Sequence, residues 1–449
     1  ETSTMAMATA SVLCRPCQIA VILSIVLISS APIATAFRLP SPEFSGNLRR
    51  VMTSHRASAA DGVENAQQQH QRPGSHGDGT TATIPAERLL STLVDAATRG
   101  SLTISSLSET ARGSGATDSI RFKVEGDARS ALTIADTAAQ RVIVSCLLGA
   151  HPGLNIVGEE DESVGTAEED ASSTVGGDLS FPTGDPLDGC DWAAPPQPTA
   201  DGDGDDPPRV ILPAELDMRD VLVYVDPLDG TREFVEGRLE NVTCLIGACY
   251  RGRPVMGAIG LPFQGRDGDG DDDGDASPCE VIFGLAGRGV GRARVEKKTS
   301  GDGGASVVVG CARPKLKRHR DGDTIRISSG DSSSVLPALD LADRTFESKG
   351  GIARQIYGAT GNKLLKVIYG RTTLSLLHTK TSLWDTAAPT AVLEAMGGRV
   401  TDYFGEPLVY GDGHGGELGN RKGVVASAPG AGAEHDEMCE AMCDNAGML

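Results

Sequence analysis

The C-terminal part of the chain alternates between short apolar runs and amphipathic segments, and this alternation constrains the fold more than any other feature. In order, it predicts a strand at TIRISS, a helix at GNKLLKVIYG, a strand at TTLSLLH, a helix at WDTAAPTAVLEAMGG and a strand at RVTDYFG. Helices that alternate with strands bury their apolar faces on a sheet and so build layered domains. The pattern therefore predicts an α/β fold.

The N-terminal part adds two helices and three buried strands. One helix is predicted at IPAERLLSTLVDAATRGSLTISSL, with Pro85 in its first turn, and another at LTIADTAAQRVIVSCLLGAH, with Thr133 as its N-cap. VLVYVDPLDG predicts a strand inside a sheet, and NVTCLIGACYRGRPVMGAIGLPF predicts two strands joined at RGRP. Together these segments predict one folded domain at 85–430, followed by a C-terminal tail at 431–449.

Three tracts rich in Gly, Asp, Ser and Pro interrupt this domain, at about 164–208, 264–278 and 297–323. We expect them to be low-complexity surface insertions, because lengthening a loop that is already open costs little.

The second tract contains DGDDDGDASPCE, which matches a calcium-binding loop. The matching residues are Asp269, Asp271, Asp273, Gly274 and Glu280. A calcium hand needs a helix on each side of the loop, whereas both flanks here predict strands. We therefore attribute the match to the Asp/Gly repeat, with a secreted calcium-binding protein as the alternative.

Residues 1–36 have the layout of a signal peptide. The apolar run IAVILSIVLISS is followed by Ala34 and Ala36, a small-x-small cleavage site before Phe37. Phe37 and the following RLPSPEFSGNLRR resemble the second part of a two-part plastid leader, within a polar linker or transit region at 37–84. We expect delivery to the secretory pathway or to a plastid, with no stable membrane span after cleavage. An uncleaved anchor is the alternative, although the run is short for one.

The formal net charge of −20 argues against a general nucleic-acid binder, which needs a basic surface. It suits a protein that holds divalent cations, although acidic low-complexity tracts would give the same charge. Hydrophobic residues make up 39% of the chain, which also contains 56 glycines. The hydrophobic fraction is low and the glycine count is high for a globular chain. Both departures come mostly from a few polar tracts, so a normal core can form elsewhere.

The pentapeptide DPLDG occurs twice, at 185–189 and at 226–230. Nothing around the first copy predicts a strand to hold it, so binding a metal there would carry the full cost of ordering a loop. The second copy follows VLVYV and precedes TREFVEG. Asp226 is therefore predicted at a strand end, and Asp229 and Thr231 at a helix N-terminus whose free N–H groups favour a phosphate. A plain N-cap is the alternative for Asp229 and Thr231.

Two further acidic sites support a functional interpretation of the second copy. IVGEED places Glu159 and Glu160 at another strand end, and Asp385 begins the helix predicted at WDTAAPTAVLEAMGG. Carboxylates from separate segments, each at the end of an element, suit a hard cation such as Mg²⁺. Two such ions can hold a phosphate and lower the pKa of an attacking water. For any one of these residues alone, a capping or salt-bridge role is the simpler interpretation.

Three segments in this order, GEED, DPLDGT and WDTAAPTAVLEAMGG, resemble the inositol monophosphatase superfamily of magnesium-dependent, lithium-sensitive phosphatases. The resemblance covers most of 85–428. Within the superfamily, VDPLDGTREFVEGRLENVTCLIGACYRGRPVMGAIGLPF and GATGNKLLKVIYGRTTLSLLH are most similar to the 3'(2'),5'-bisphosphate nucleotidase branch. The resemblance implies a five-layer αβαβα sandwich, two or three Mg²⁺ ions, and hydrolysis of the 3'-phosphate of 3'-phosphoadenosine 5'-phosphate.

The resemblance also implies roles for individual residues. The implied metal ligands are Glu159, Asp226, Asp229, Asp385 and the backbone carbonyl of Leu228. Thr231 corresponds to the hydroxyl that orients the nucleophilic water. The implied substrate-binding residues are Gly230, Ser329, Ser332, Gly361 and Lys363, with Asn362 in the same GNK motif. Thr360 is an additional residue in GATGNK, so the shape of that loop differs from the family pattern.

One position departs from the family pattern in a way that bears on catalysis. The family has a Lys and then an Asp shortly before T-x-A-D, and that Asp polarises the attacking water. In KVEGDARSALTIAD the counterparts present are Lys123, Thr133 and Asp136. The expected Asp position falls on Ala128 or Ser130. Asp127 is the nearest carboxylate, and we predict it as the base; the alternative is a slow or inactive enzyme.

The expected partner is a small phosphorylated molecule, and the expected assembly is a monomer or a homodimer. Direct in-line attack by water is implied, without a covalent intermediate. Rival interpretations are an inositol polyphosphate 1-phosphatase, an inositol monophosphatase, and a non-catalytic protein that binds metal and nucleotide but lacks the base.

Overall fold

The computed structural model describes residues 82–113, 134–160, 185–194, 211–263, 279–299, 305–312, 314, 316–320, 322–411 and 418–448. The strands are β1 (Thr83–Pro85), β2 (Asn155–Gly158), β3 (Glu215–Asp217), β4 (Val221–Asp229), β5 (Thr243–Tyr250), β6 (Arg253–Leu261), β7 (Glu280–Leu285), β8 (Gly289–Thr299), β9 (Ala305–Ala312), β10 (Ile325–Ser329), β11 (Ile352–Ile356), β12 (Leu374–Leu377), β13 (Arg399–Thr401) and β14 (Val424–Ser427). The helices are α1 (Ala86–Gly113), α2 (Ile134–Ala150), α3 (Thr231–Val235), α4 (Leu336–Thr345), α5 (Thr360–Ile368), α6 (Leu383–Ala395) and α7 (Gly432–Asp444).

The larger sheet has seven strands in the order β2-β4-β5-β6-β7-β8-β9. Its neighbours are antiparallel, except that β2 is parallel to β4. Successive side chains point to opposite faces, as strand geometry requires. Ile246 and Ala258 join a hydrophobic cluster with α1 and α2, whereas Leu245 and Ile259 join a cluster with α5 and α6. Helices therefore cover both faces of this sheet.

The smaller sheet has five strands in the order β11-β10-β12-β14-β13. β10 is parallel to β11 and β12, and β14 is antiparallel to both of its neighbours. Leu377 and Val424 pack on the α5–α6 side, and Leu376 and Val425 pack on α4 and α7. The layers therefore stack as α1–α2, larger sheet, α5–α6, smaller sheet, α4–α7. This is the five-layer αβαβα sandwich, and the predicted fold class is confirmed.

Helix α6 lies close against the larger sheet because two paired strand positions carry glycine. Gly247 of β5 lies opposite Gly257 of β6. A Cβ on either residue would overlap the backbone of Ala388 in α6. The missing side chains therefore let the helix, which carries Asp385 in its first turn, sit directly on the sheet.

The C-terminal boundary differs from the sequence prediction. Residues 431–449 were expected to be a tail, but they contain α7, which packs on β14 and α4. Met438 and Met442 are fully buried, and they lie one helical turn apart among charged residues. This short apolar stripe anchors the helix and extends the domain past residue 430.

Two predicted insertions also contain ordered elements. β9 lies within 297–323 and pairs with β8, because its apolar run ASVVVGCA can extend the sheet. Residues 185–194 lie within 164–208. There, Trp192 packs edge-on against Phe283 with ring centroids 5.3 Å apart, and Ala193 pairs with Val290.

Most of the calcium-loop match lies outside the described residues, but Glu280 lies within them. It is buried in β7, and its Oε1 lies 2.9 Å from Arg292 Nε and 3.5 Å from Arg294 Nε. A carboxylate engaged by two arginines is not offered to a calcium ion, so the structure disagrees with the match at this position.

The predicted leader at 1–36 and almost all of the linker at 37–84 lie outside the described residues. Within the described ranges, no helix is long and apolar enough to cross a membrane.

Candidate active site

Glu159 and Asp226 emerge side by side from the parallel pair in the larger sheet. β2 and β4 run in register up to Gly158 and Val225. The N–H of Glu159 extends this pairing by donating to the carbonyl of Val225 at 3.0 Å. Because parallel strands end at the same edge of a sheet, the two acidic residues are brought to one place.

Gln140 of α2 fixes the end of β2 through two hydrogen bonds with Glu160. Its Nε2 donates to the Glu160 carbonyl at 2.7 Å, and the Glu160 N–H donates to its Oε1 at 3.2 Å. Gly158 makes room for this contact, since a Cβ there would lie 2.7 Å from Gln140 Oε1. Sequence reasoning missed Gln140, whose one signal is its position on the buried face of a predicted helix.

The turn after β4 leads directly into α3. The β4–β5 pairing is irregular between Asp226 and Asp229, and Asp226 Oδ1 accepts the N–H of Leu228 at 3.1 Å. The Leu228 carbonyl accepts the Thr231 hydroxyl at 3.3 Å. Gly230 completes the turn at φ +93°, which glycine adopts without strain. The predicted ligand carbonyl and the predicted water-orienting hydroxyl therefore contact each other.

Asp229 caps a helix from a distant part of the chain. Its Oδ1 accepts the N–H of Thr360 at 2.9 Å, and its Oδ2 accepts the N–H of Gly361 at 2.7 Å and the Thr243 hydroxyl at 2.8 Å. Both backbone donors belong to the first turn of α5. The predicted capping alternative is therefore present, but for α5 rather than for α3, the helix that follows Asp229 in sequence.

Asp385 lies in the first turn of α6, where its Oδ2 accepts the N–H of Ser382 at 2.8 Å as half of a capping box. The same carboxyl group lies among the other acidic side chains. Desolvation, followed by the charge of Asp229, raises its pKa to about 7, while the Ser382 N–H and the charge of Lys363 act in the opposite direction. Asp385 therefore combines a capping role with a place in the acidic cluster.

Asp226 is at the centre of this cluster, where its carboxyl group lies close enough to Glu159, Asp229 and Asp385 to feel the charge of each. Desolvation and then the charges of Glu159, Asp229 and Asp385 raise its pKa well above the usual range. Although Glu159 is exposed as a whole residue, desolvation of its carboxyl group and the charge of Asp385 raise its pKa to about 8. The structure thus brings together the four predicted side-chain ligands.

The chemistry of this donor set fits a hard divalent cation. Four carboxyl groups destabilise one another when ionised, and a cation would offset that repulsion. In the described part of the chain, no group of three or more His, Cys, Asp or Glu side chains is already arranged as a metal-binding cage. Magnesium needs no such cage, since it keeps several waters and takes only one or two carboxylates per ion. The groups placed to hold it are Glu159, Asp226, Asp229, Asp385 and the Leu228 carbonyl.

Lys363 places a buried amine between the acidic cluster and the loop after β10. Its Nζ lies 3.6 Å from the position that a Cβ on Gly330 would take. Desolvation lowers the pKa of Lys363, opposed first by the charges of Asp229 and Asp385. The amine forms no ion pair or hydrogen bond with any residue that the structure describes, so its donors are available to an anionic ligand.

The other predicted substrate-binding residues have structural contacts of their own. The buried Ser329 donates its hydroxyl to the Gly330 carbonyl at 3.4 Å. The Ser332 hydroxyl caps a short 3₁₀ turn by accepting the N–H of Ser334 at 3.3 Å. Gly361 packs against Asp229, and Asn362 Nδ2 donates to Asn241 Oδ1 at 2.8 Å. These residues shape the loops around Lys363.

The predicted base, Asp127, lies outside the described residues, as do Lys123, Ala128, Ser130 and Thr133. Asp136, the nearest described acidic residue on that side, is buried in α2, and its charge contributes to the raised pKa of Glu159. The sequence pattern identified Asp136 as a family position without indicating that it lies beside the acidic cluster.

The first DPLDG copy is a surface turn on α1. Asp185 Oδ1 accepts the Ser91 hydroxyl at 2.7 Å and the Leu187 N–H at 2.9 Å. Identical letters therefore form two unrelated structures, because only the second copy is continuous with a buried strand.

A five-layer sandwich with carboxyl groups gathered at the ends of its strands and helices is the architecture of a class of phosphatase domains. The model of the inositol monophosphatase family matches residues 86–445. This chain therefore belongs to the inositol monophosphatase family.

Individual relatives are distant. The chain is 28% identical to 3'(2'),5'-bisphosphate nucleotidase 1 of Homo sapiens over 285 residues, which cover 62% of this chain and 73% of that protein. It is 25% identical to putative inositol monophosphatase 3 of Drosophila melanogaster over 346 residues, or 76% and 79% of the two chains. The solved structure of CysQ from Bacteroides thetaiotaomicron, a bacterial member of the family, aligns with a TM-score of 0.46 at 22% identity, covering 75% of this chain and 96% of that one.

Proposed function

We propose that this protein is a magnesium-dependent phosphatase that removes the 3'-phosphate of 3'-phosphoadenosine 5'-phosphate. The observation that carries the proposal is the position of Lys363. Its amine is buried, has no ion-pair partner among the described residues, and lies near Asp229 and Asp385 of the acidic cluster. A substrate with two phosphates can use both features at once, one phosphate at the cations and the other near Lys363. The resemblance of the chain to bisphosphate nucleotidases supports the same choice.

Magnesium, when bound by the acidic cluster, would supply Lewis-acid activation of a water and neutralise phosphate charge. The Thr231 hydroxyl donates its proton to the Leu228 carbonyl, so its oxygen is left as an acceptor for a proton of the attacking water. We assign removal of the other proton to Asp127. The water oxygen then bonds to phosphorus as the bond to the 3'-oxygen breaks. That oxygen takes a proton from solvent water, and Asp127 returns to solvent the proton that it removed. The Lys363 ammonium holds negative charge on the substrate throughout.

The test is a phosphate-release panel with magnesium, with and without lithium. Its substrates are 3'-phosphoadenosine 5'-phosphate, inositol 1-phosphate and inositol 1,4-bisphosphate. We expect the nucleotide to have the highest kcat/KM and lithium to inhibit. Higher turnover of either inositol phosphate would instead identify an inositol phosphatase and overturn the substrate assignment.

The two DPLDG copies provide a matched pair of variants. Asp226→Asn should abolish phosphate release. Asp185→Asn changes the equivalent residue of the surface copy and should leave phosphate release unchanged. Asp127→Asn should lower kcat while magnesium binding persists. If the wild-type protein bound magnesium and nucleotide but released no phosphate, the non-catalytic binding interpretation would replace ours.

A further inference from the structure

A cavity of about 810 Å³ lies at the end of the smaller sheet remote from the acidic cluster. Arg326 and Thr373, near the starts of β10 and β12, line it. Ser329, at the other end of β10, precedes the loop whose Gly330 lies close to the Lys363 amine. Ser329 is three residue steps along the extended strand from Arg326, a distance of about 10 Å. None of the four clustered carboxyl groups lines this cavity, so it is separate from the candidate active site.

The walls of the cavity are strongly basic. The basic lining residues are Lys317, Arg318, His319, Arg320, Arg326 and Arg371, and the acidic residue among the described lining is Asp323. The side chains of Lys317, Arg318, Arg320 and Arg326 make no ion pair with any described residue. Elsewhere, exposed arginines are commonly paired, as Arg354 is with Asp340 at 2.8 Å. Four cations that find no ion-pair partner within the described ranges are unexpected around one cavity in a chain of net charge −20.

The backbone that carries these cations is fixed on two sides. The N–H of His319 donates to the Pro429 carbonyl at 3.0 Å. A Cβ on Gly430 would lie 2.6 Å from the His319 carbonyl oxygen, and a Cβ on Gly370 would overlap the Lys317 carbonyl. Segment 316–320 is therefore seated against two glycines, which both have positive φ.

His319 anchors the segment rather than serving as a ligand. Its side chain is 5% exposed, lies 3.4 Å from the Thr373 hydroxyl and is 3.9 Å from Glu434 Oε2. The neighbouring side chains of Arg318 and Arg320 are exposed. The anchored residue thus holds its exposed neighbours at the mouth of the cavity, which reduces the entropy lost when they engage a ligand.

We infer that this cavity binds a small soluble anion that carries several phosphate groups. Guanidinium groups bind phosphate oxygens through paired, charge-assisted hydrogen bonds. The described lining contains no Phe, Tyr or Trp side chain on which a base could stack, and His319 is packed against Thr373, so the site selects for charge rather than for an apolar ligand. Its volume falls in the usual range for small-molecule sites. The acidic charge of the chain as a whole would repel an extended polyanion.

The test is calorimetric titration of the whole protein with tripolyphosphate in EDTA, where the acidic cluster has no metal with which to attract an anion. Wild type should bind, and Arg318→Ser/Arg320→Ser should bind at least tenfold more weakly. The matched control is Arg344→Ser/Lys380→Ser, which removes two exposed cations outside the cavity and should change affinity less than twofold. Asp226→Asn should bind like wild type, so this result is independent of the proposed phosphatase activity.

Two additional ligands test whether the phosphate groups could instead belong to RNA or to a membrane lipid. An RNA oligonucleotide and phosphatidylcholine vesicles containing phosphatidylinositol bisphosphate should both bind more weakly than tripolyphosphate. Preferential binding of either one would overturn the small-anion proposal. So would a wild-type protein that does not bind tripolyphosphate, or equal affinity in the cavity and control variants.

Discussion

The carboxylate of Asp229 accepts the backbone N–H of Gly361 at 2.7 Å, although 132 residues of chain separate the two. This contact ties the end of β4, in the larger sheet, to the first turn of α5, in the middle helical layer. The same carboxylate is a predicted cation ligand. The position of the helix that carries Lys363 is therefore coupled to the geometry of the acidic cluster.

The first prediction concerns the space between these two residues. A Cβ on Gly361 would lie 2.8 Å from Asp229 Oδ2 and 2.6 Å from Thr243 Oγ1. Gly361→Ala should displace the carboxylate and reduce kcat/KM by at least tenfold, measured by phosphate release. The magnesium concentration needed for half-maximal activity should rise as well.

Gly149→Ala is the matched control, because a Cβ at this position of α2 would meet nothing within 4 Å. Alanine is preferred over glycine in helices by about 0.5–1 kcal/mol. This control should therefore unfold at the same or a higher temperature, with unchanged activity. Equal activity in Gly361→Ala would show that the contact does not position Asp229.

A second prediction follows from the strained backbone of Ala359. This residue precedes α5 at φ +59° and ψ 147°, a conformation that costs a residue with a side chain on the order of 1–3 kcal/mol. Ala359→Gly relieves that strain and adds some chain entropy to the unfolded state. The net gain in the free energy of unfolding should be about 1 kcal/mol, measured by urea denaturation.

Ala342→Gly is the comparison for this variant. Ala342 is a buried residue within α4, where glycine should destabilise by about 1 kcal/mol. The two substitutions are chemically identical, so opposite signs would isolate the backbone effect. A loss of stability in Ala359→Gly would contradict the proposed strain.

A third prediction concerns pH in the absence of metal. The pKa values of Glu159 and Asp385 are raised to about 8 and about 7, whereas unfolded carboxyl groups titrate near about 4. The folded protein therefore holds more protons than the unfolded chain between these limits. The contribution of these two groups to stability should therefore be greatest below about pH 4 and should be lost progressively as pH rises from there to about 8. Thermal unfolding in EDTA across this range measures the decline.

Asp385→Asn should flatten this decline, whereas Glu347→Gln, an exposed substitution outside the site, should leave it unchanged. Magnesium should also flatten it in the wild-type protein, because bound cations favour the ionised carboxylates. A decline that was identical in wild type and Asp385→Asn would argue against repulsion within the cluster.

A fourth prediction concerns Lys363. Lys363→Met retains most of the buried volume but removes the charge, so KM for 3'-phosphoadenosine 5'-phosphate should rise at least tenfold. Since burial of the amine opposes ionisation, the variant should be as stable as wild type or more stable. Lys380→Met, at an exposed position, is the control and should leave both KM and stability unchanged. An unchanged KM in Lys363→Met would remove the main support for a bisphosphate substrate.

The layered fold could be predicted from the sequence because its helices and strands have strong and distinct periodicities. TTLSLLH and WDTAAPTAVLEAMGG each bury enough apolar side chains to define their own type of element. Helix α7 was missed because Met438 and Met442 form a narrow stripe within a charged segment. β9 was missed because its apolar run is short and lies between Gly-rich stretches.

The acidic cluster could be predicted in part for a similar reason. Glu159, Asp226 and Asp385 lie at the ends of elements whose direction the sequence indicates. The capping of α5 by Asp229 and the bracing of Glu160 by Gln140 could not be predicted, because both depend on how distant layers are aligned. Such contacts between layers leave no periodic signal in the chain.

The glycine pair at 247 and 257 has a consequence for how variants of this chain should be interpreted. Neither residue has a side chain to touch a nucleotide or a cation, yet a methyl group at either one would push Ala388, and with it the first turn of α6, away from the sheet. A scan of single substitutions should therefore find inactive proteins at these two positions that still fold. The effect of a substitution at these positions would be set by the distance between the sheet and α6, and not by the distance of the residue from the acidic cluster.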